Sequence, residues 1–165
     1  MRLTSWIWAA PVAFLVHDAE EIATLERWLG LHAPALPAAA RPLVGITTGQ
    51  FAVAVGVLFV GILLAAAHGA RQARRERLSI PFLLVAGALV ANAVTHVAQA
   101  AYFRGYTPGV VTAVVILLPY GLALGRRLRA SRLASPRLLA GAVGGGMLLQ
   151  VPLALLALAA AGALD

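Results

Sequence analysis

The sequence predicts an all-α fold: an integral membrane bundle of about five transmembrane helices, forming one domain over residues 1–165. Three observations lead there. Long apolar runs dominate, with 61% hydrophobic and 12% charged residues and a mean hydropathy of +0.88. The net charge is +7, and all 13 basic residues are arginines, most of them grouped in short stretches between the runs. Such grouping sets membrane orientation; no basic face extends along a soluble segment, as nucleic-acid binding requires. Third, cap signals punctuate the runs at Ser79-Ile80-Pro81, Thr107-Pro108 and Ser135-Pro136.

Helix one is expected over about residues 5–29. Trp6 and Trp8 frame one end and Trp28 the other, and about 20–22 residues at 1.5 Å rise span about 30–33 Å, the hydrocarbon thickness. Arg2 before a short apolar run resembles the start of a cleavable leader. Cleavage near Ala19 would cut the most polar stretch of the chain, so the segment is expected to stay as helix. Pro34, Pro37 and Pro42 keep the next stretch a loop. Helix two follows at 44–68, a basic loop at 71–77, helix three at 80–103, and a tight turn at 105–108. Helix four covers 108–125, a second basic loop 126–132, and helix five 136–163. Five crossings put both basic loops and Arg2 on one side, which the positive-inside rule makes cytoplasmic, with the C-terminus outside. The pairs Gly45/Gly49, Gly121/Gly125 and Gly141/Gly145 suit close helix packing inside the bundle first and homodimer contact second. Gly144-Gly145-Gly146 marks either a close crossing or a local break. Cysteine is absent, so disulfides and thiolate sites are excluded.

One stretch conflicts with an apolar span. His17-Asp18-Ala19-Glu20-Glu21 places four ionisable side chains within five residues. Each costs about 2.5–3.5 kcal/mol at a bilayer centre, so such residues mark function. His17, Glu20 and Glu21 stand at i, i+3 and i+4 on one helix face, while Asp18 points elsewhere. In helix three, Asn92, His96 and Gln99 form a second stripe at i, i+4 and i+7. Helices one, three and five run the same way, and residue offsets bring His17, Glu20, Glu21, Asn92, His96 and Gln150 to one depth, with Gln50 close to it. The stripes of helices one and three are therefore expected to face each other, with Gln50, Gln99 and Gln150 as a surrounding polar shell.

Two imidazoles and two carboxylates in a dry bundle suit a divalent metal, zinc or iron, with His17, Glu20, Glu21 and His96 as ligands. Two histidines, one glutamate and an open position make the pattern in which bound water ionises near neutral pH. One of Glu20 and Glu21 then acts as base, and Asn92 orients a ligand or polarises a carbonyl. The first expectation is a metal-dependent membrane hydrolase acting on a hydrophobic or lipid-like substrate. A proton- or cation-coupled transporter, working as an oligomer, uses the same carboxylates as a relay. A scaffold is the third alternative, its metal-free network pairing His17 with Glu21 and His96 with Glu20. His32 and His68 are peripheral, Tyr102 and Tyr106 belong to an aromatic belt, and Tyr106 to Gly109 can also cap the site. The loop arginines are expected to touch anionic lipid. There is no phosphate-cradling glycine loop, nucleophile elbow or dinucleotide fingerprint.

His17, Glu20 and Glu21, with Asn92-x-x-x-His96 and the Tyr106-x-Pro108-Gly109 turn, resemble the HXXEE family of small bacterial membrane proteins. The resemblance covers roughly helices one to four. It implies a multi-pass protein of the bacterial plasma membrane and no established reaction. A more distant similarity is to intramembrane prenyl-protein proteases, which also carry paired glutamates and an Asn–His spacing. This chain is shorter, and lacks their second His-bearing helix and the arginine after the glutamate pair.

Overall fold

The computed structural model describes residues 2–163, and every regular element among them is helical. Helix α1 spans Leu3–His32, α2 Thr48–Ala73, α3 Ile80–Phe103, α4 Val110–Ala130 and α5 Pro136–Ala160. Three of the starts are set by side chains that satisfy the free N–H groups of a first turn. The Thr47 hydroxyl accepts the Gln50 N–H while the Gln50 side chain accepts the Thr47 N–H, a reciprocal cap. Ser79 accepts from the Phe82 N–H and Ser135 from the Leu138 N–H, each with proline in the first turn. Helix two was expected from 44, but two 3-10 turns, Ala33–Ala35 and Ala38–Leu43, occupy the preceding stretch and the cap falls at Thr47.

Helix α4 is not uniform. Ala113–Leu117 forms a wide π turn in which the Leu118 N–H donates to the Ala113 carbonyl five residues back. The next residue is Pro119, which has no N–H to give the Val115 carbonyl, so the ordinary ladder could not continue there in any case.

The bundle alternates in direction. The start of α1 lies beside Ala73 and Arg74 at the end of α2. At the other end of the bundle, the Glu26 carboxylate accepts the Thr48 N–H and hydroxyl at 2.6 and 2.5 Å. Helix α4 also runs against α1: Thr112 sits by Glu20, and the Tyr120 hydroxyl donates to the Trp6 carbonyl at 3.0 Å. Helices α1 and α3 point the same way, as their polar stripes require. Ile7, Ala10 and Phe14 of α1 meet Ala66 of α2, Leu83 and Leu89 of α3, and Leu117 and Leu124 of α4 in one core.

Helix α5 rests on α3 through backbone rather than through long side chains. A Cβ on Gly87 would strike the Ala142 carbonyl, and one on Gly146 would strike the Ala88 nitrogen. Lipid offers apolar surface as readily as another helix does, so such close approach is what holds membrane helices together. The Gly144–Gly146 run is thus a crossing inside an unbroken helix. Of the expected glycine pairs, Gly121 packs tightly on Val90 of α3 and Gly145 on Leu84, whereas the Gly45/Gly49 pair and Gly141 make no such contact. Gly45 lies in the loop at φ +118°, and Gly141 has no neighbour within 4 Å of an added Cβ.

Four helices, α2 to α5, are long and apolar enough to cross a membrane. Helix α1, at 30 residues, is long enough, but Asp18, Glu20 and Glu21 interrupt its apolar stretch. Five spans were expected; composition supports four, with α1 a fifth helix of a different kind.

Candidate metal centre

Three segments converge on the polar stretch of α1. Helix α1 contributes His17, Glu20 and Glu21; α3 contributes Asn92 and His96; the α3–α4 turn and the first turn of α4 contribute Tyr106, Gly109 and Thr112. Helix α3 stops because Arg104 enters the left-handed region at φ +53°, letting the Gly105 N–H reach the Ala100 carbonyl. Gly109, at φ +80°, then turns the chain into α4.

His17, Glu21 and His96 form the centre. One ring nitrogen of each histidine and one Glu21 oxygen all lie within 4.8 Å of one another. His96 Nε2 is 3.3 Å from Glu21 Oε1, and the two imidazoles stand edge to face with centroids 4.8 Å apart. His17 is completely buried and His96 nearly so. His96 Nδ1 makes no well-aligned hydrogen bond, the Pro108 carbonyl being the backbone acceptor beside the ring.

His17 is wired on both sides. Its Nδ1 is 3.0 Å from the Thr112 hydroxyl, which itself lies 2.6 Å from Glu20 Oε2. The short contact to a carboxylate takes the hydroxyl proton, so His17 Nδ1–H donates to Thr112. His17 Nε2 is then the bare nitrogen, accepting from Asn92 Nδ2–H at 3.0 Å. Glu20 also accepts the Thr112 N–H at 2.8 Å and the Tyr106 hydroxyl at 2.9 Å. Partial burial, and then the nearby Glu20 and Glu21 carboxylates, push the Tyr106 phenol above its ordinary value, so it stays a donor at neutral pH.

The turn closes over the centre like a lid. A Cβ placed on Gly109 would stand 2.8 Å from the Cε1 atoms of both His17 and His96, and 3.0 Å from Glu21 Cγ. Trp28 holds the turn down: its indole N–H donates to the Tyr106 carbonyl at 2.9 Å, and its ring packs edge-on against Phe103 and flat on His32. His32 is therefore a packing residue, as is His68, which bonds Ser79 at 2.8 Å.

Neither arrangement expected for the acids holds in full. The pairs are His96 with Glu21, and His17 with Glu20 through Thr112, the reverse of the pairing expected of a metal-free network. Glu20 lies outside the cluster, because four donors from α4 and the turn hold its two oxygens. The expected outer shell is also corrected. Gln50 caps α2 and donates to the Gly162 carbonyl at 2.7 Å. Gln150 donates to Thr95 at 3.0 Å on the α3–α5 seam. Gln99 is exposed. Equal depth did not mean equal direction around each helix. Asp18 is buried, is not one of the cluster's three ligand groups, and leaves its Oδ2 unpartnered. Thr112 carried no sequence signal beyond a hydroxyl in an apolar run.

The family model described as "Protein of unknown function with HXXEE motif" matches residues 8–124. The chain belongs to the HXXEE family. In this HXXEE protein the motif letters are His17, Glu20 and Glu21, and the matched range takes in every residue of the centre while stopping short of α5. No curated protein and no solved structure is detectably similar to the chain.

Proposed function

We propose that this HXXEE protein binds one divalent metal ion through His17, Glu21 and His96, and uses it to hydrolyse a hydrophobic or lipid-like substrate in the membrane. One observation carries the reading: a nitrogen of each histidine and a Glu21 oxygen converge within 4.8 Å in the interior. Tetrahedral ligands at about 2.1 Å from zinc stand about 3.4 Å apart, so the 3.3 Å Glu21–His96 separation already fits. The His17 nitrogen stands within 4.8 Å of both and would have to draw in when an ion binds. His17 would ligate through Nε2, whose lone pair Asn92 occupies here and would have to release, while the Thr112 hydroxyl holds the Nδ1 proton on the other side. The orphaned Nδ1 of His96 gains a reason too, since a ligating histidine donates its second N–H outward, here toward Pro108. Such an ion would supply an acidified water at a coordination position left open by its three protein ligands. Glu20, at the partly exposed edge and joined to His17 by Thr112, is the base that passes protons outward, while Asn92 steadies a ligand. Nitrogen and oxygen donors select zinc or iron. The arginine-rich end, with Arg2, is the cytoplasmic one.

Elemental analysis of protein purified without chelator tests the binding step. About one equivalent of zinc or iron per chain is expected, lost in His17→Ala and His96→Ala. Protein without stoichiometric metal, or variants that keep it, overturn the proposal. Metal-dependent release of fatty acid from ester lipid in vesicles tests the chemistry.

The hydrogen-bonded series Glu20, Thr112, His17, Asn92 favours a second reading, a proton- or cation-coupled carrier. Under it, vesicles show pH-driven cation flux that Glu21→Gln abolishes, and the purified protein holds no stoichiometric metal.

A further inference from the structure

At the arginine-rich end, away from the metal centre, α4 and α5 both lean on α3 and leave a cleft of about 340 Å³ between them. That volume lies within the range of small-molecule sites, about 300–1,000 Å³. Thirteen of its fifteen lining residues are apolar or glycine. Gly125 leaves room in it, its nearest neighbour to an added Cβ being Leu139 Cδ1 at 3.7 Å, and Leu122 stands at its exposed edge.

The other two lining residues are Arg126 and Arg129. They sit three apart, hence on one face of α4, and both are exposed. Among the described residues no carboxylate pairs with either. Arg127 between them is used differently, its guanidinium lying 5.9 Å from the centre of the Trp6 ring. The same end carries Arg2, Arg71, Arg74, Arg75, Arg77, Arg132 and Arg137, with Glu76 as the acid on the α2–α3 loop. An apolar slot ending in two unpaired guanidinium groups complements an amphiphile with an acyl tail and an anionic head. Guanidinium groups match phosphate oxygens in a bidentate fashion.

We propose that this cleft binds one anionic phospholipid, its acyl chain lying against Leu83, Val90 and Val143 and its phosphate held by Arg126 and Arg129. The apolar walls give a free phosphate nothing, and a zwitterionic lipid leaves the excess positive charge unmatched. The cleft depends on α5, Arg126 and Arg129, all outside the matched range, and is independent of the proposed metal chemistry.

Full-length protein in neutral detergent is titrated with phosphatidylglycerol, with phosphatidylcholine of the same chains, and with inorganic phosphate, following bound lipid by native mass spectrometry and thermal midpoint. Phosphatidylglycerol is expected to bind one per chain and raise the midpoint; the other two are not. The double variant Arg126→Gln/Arg129→Gln, confined to exposed positions, loses at least tenfold in apparent affinity. Arg74→Gln/Arg75→Gln, the same charge change outside the cleft, keeps it. Gly125→Leu fills the slot, where an added Cβ has its nearest neighbour, Leu139 Cδ1, at 3.7 Å, and reduces lipid occupancy. Metal content stays unchanged in all three. Equal losses in both arginine pairs, equal binding of phosphatidylcholine, full competition by phosphate, or undiminished binding by Gly125→Leu each overturn the proposal.

Discussion

Replacing Gly109 by alanine adds a single methyl group where the α3–α4 turn presses on the metal centre. An alanine at φ +80° costs about 1–2 kcal/mol of backbone strain. Its Cβ would stand 2.8 Å from both imidazole Cε1 atoms and 3.0 Å from Glu21 Cγ. Carbon atoms pack at about 3.5–4.0 Å, so both rings and the Glu21 stem must each retreat by about 0.5–0.7 Å or more. Overpacking of this kind costs about 1–3 kcal/mol, for a total of about 2–5 kcal/mol. Functional groups need holding within about 0.5 Å, so metal affinity should fall by about 10–100-fold even in molecules that stay folded. Gly105, in the same turn, is the control: its φ is not positive, and the nearest atom to an added Cβ is the Phe103 carbonyl oxygen at 3.8 Å. Gly105→Ala should change stability by no more than about 0.5 kcal/mol. Thermal unfolding in detergent and zinc titration calorimetry read the two effects. Should Gly109→Ala match Gly105→Ala in both, the turn does not press on the centre and the geometry argued above is wrong.

Thr112→Val removes the hydroxyl between Glu20 and His17 while keeping the shape. Zinc binding should weaken about 10-fold or more and recover in Thr112→Ser, the size expected for an outer partner of a metal ligand. Gln150→Leu and Gln50→Ala should leave metal stoichiometry at the wild-type value, because neither side chain reaches the cluster; loss of metal in either would restore the wider polar shell. Gly146→Leu pushes α5 off the α3 backbone and should lower the thermal midpoint, with a loss of about 1–3 kcal/mol, against little change for Gly141→Leu, which meets open space. Ser79→Ala should cost about 0.5–2 kcal/mol by leaving the Phe82 N–H unmet, read from the thermal midpoint.

Much of this was legible in the sequence where local chemistry decides. Ile80 and Pro136 begin their helices as expected, since serine caps and early prolines act over one turn. The i, i+3, i+4 spacing of His17, Glu20 and Glu21, and the i, i+4 spacing of Asn92 and His96, picked out five residues, of which His17, Glu21, Asn92 and His96 meet. Glu20 was separated from Glu21 only by tertiary contacts: one step along the helix turns it about 100° toward α4. The glutamines were misplaced because counting residues gives height along a helix and says nothing of the angle around the bundle. The π turn and Thr112 escaped for a related reason, since they depend on which helix lies opposite.

The packing of α1 has a consequence for how the chain is built. Its four companions are apolar enough to partition into lipid one by one, whereas α1 carries its acids along its middle and owes its place to neighbours. The carboxylates of Glu20 and Glu21 find their partners only once residues some 70 to 90 positions later have arrived. Assembly of the centre is therefore a late event, and a chain truncated before Thr112 would hold its first helix without the groups that shelter it.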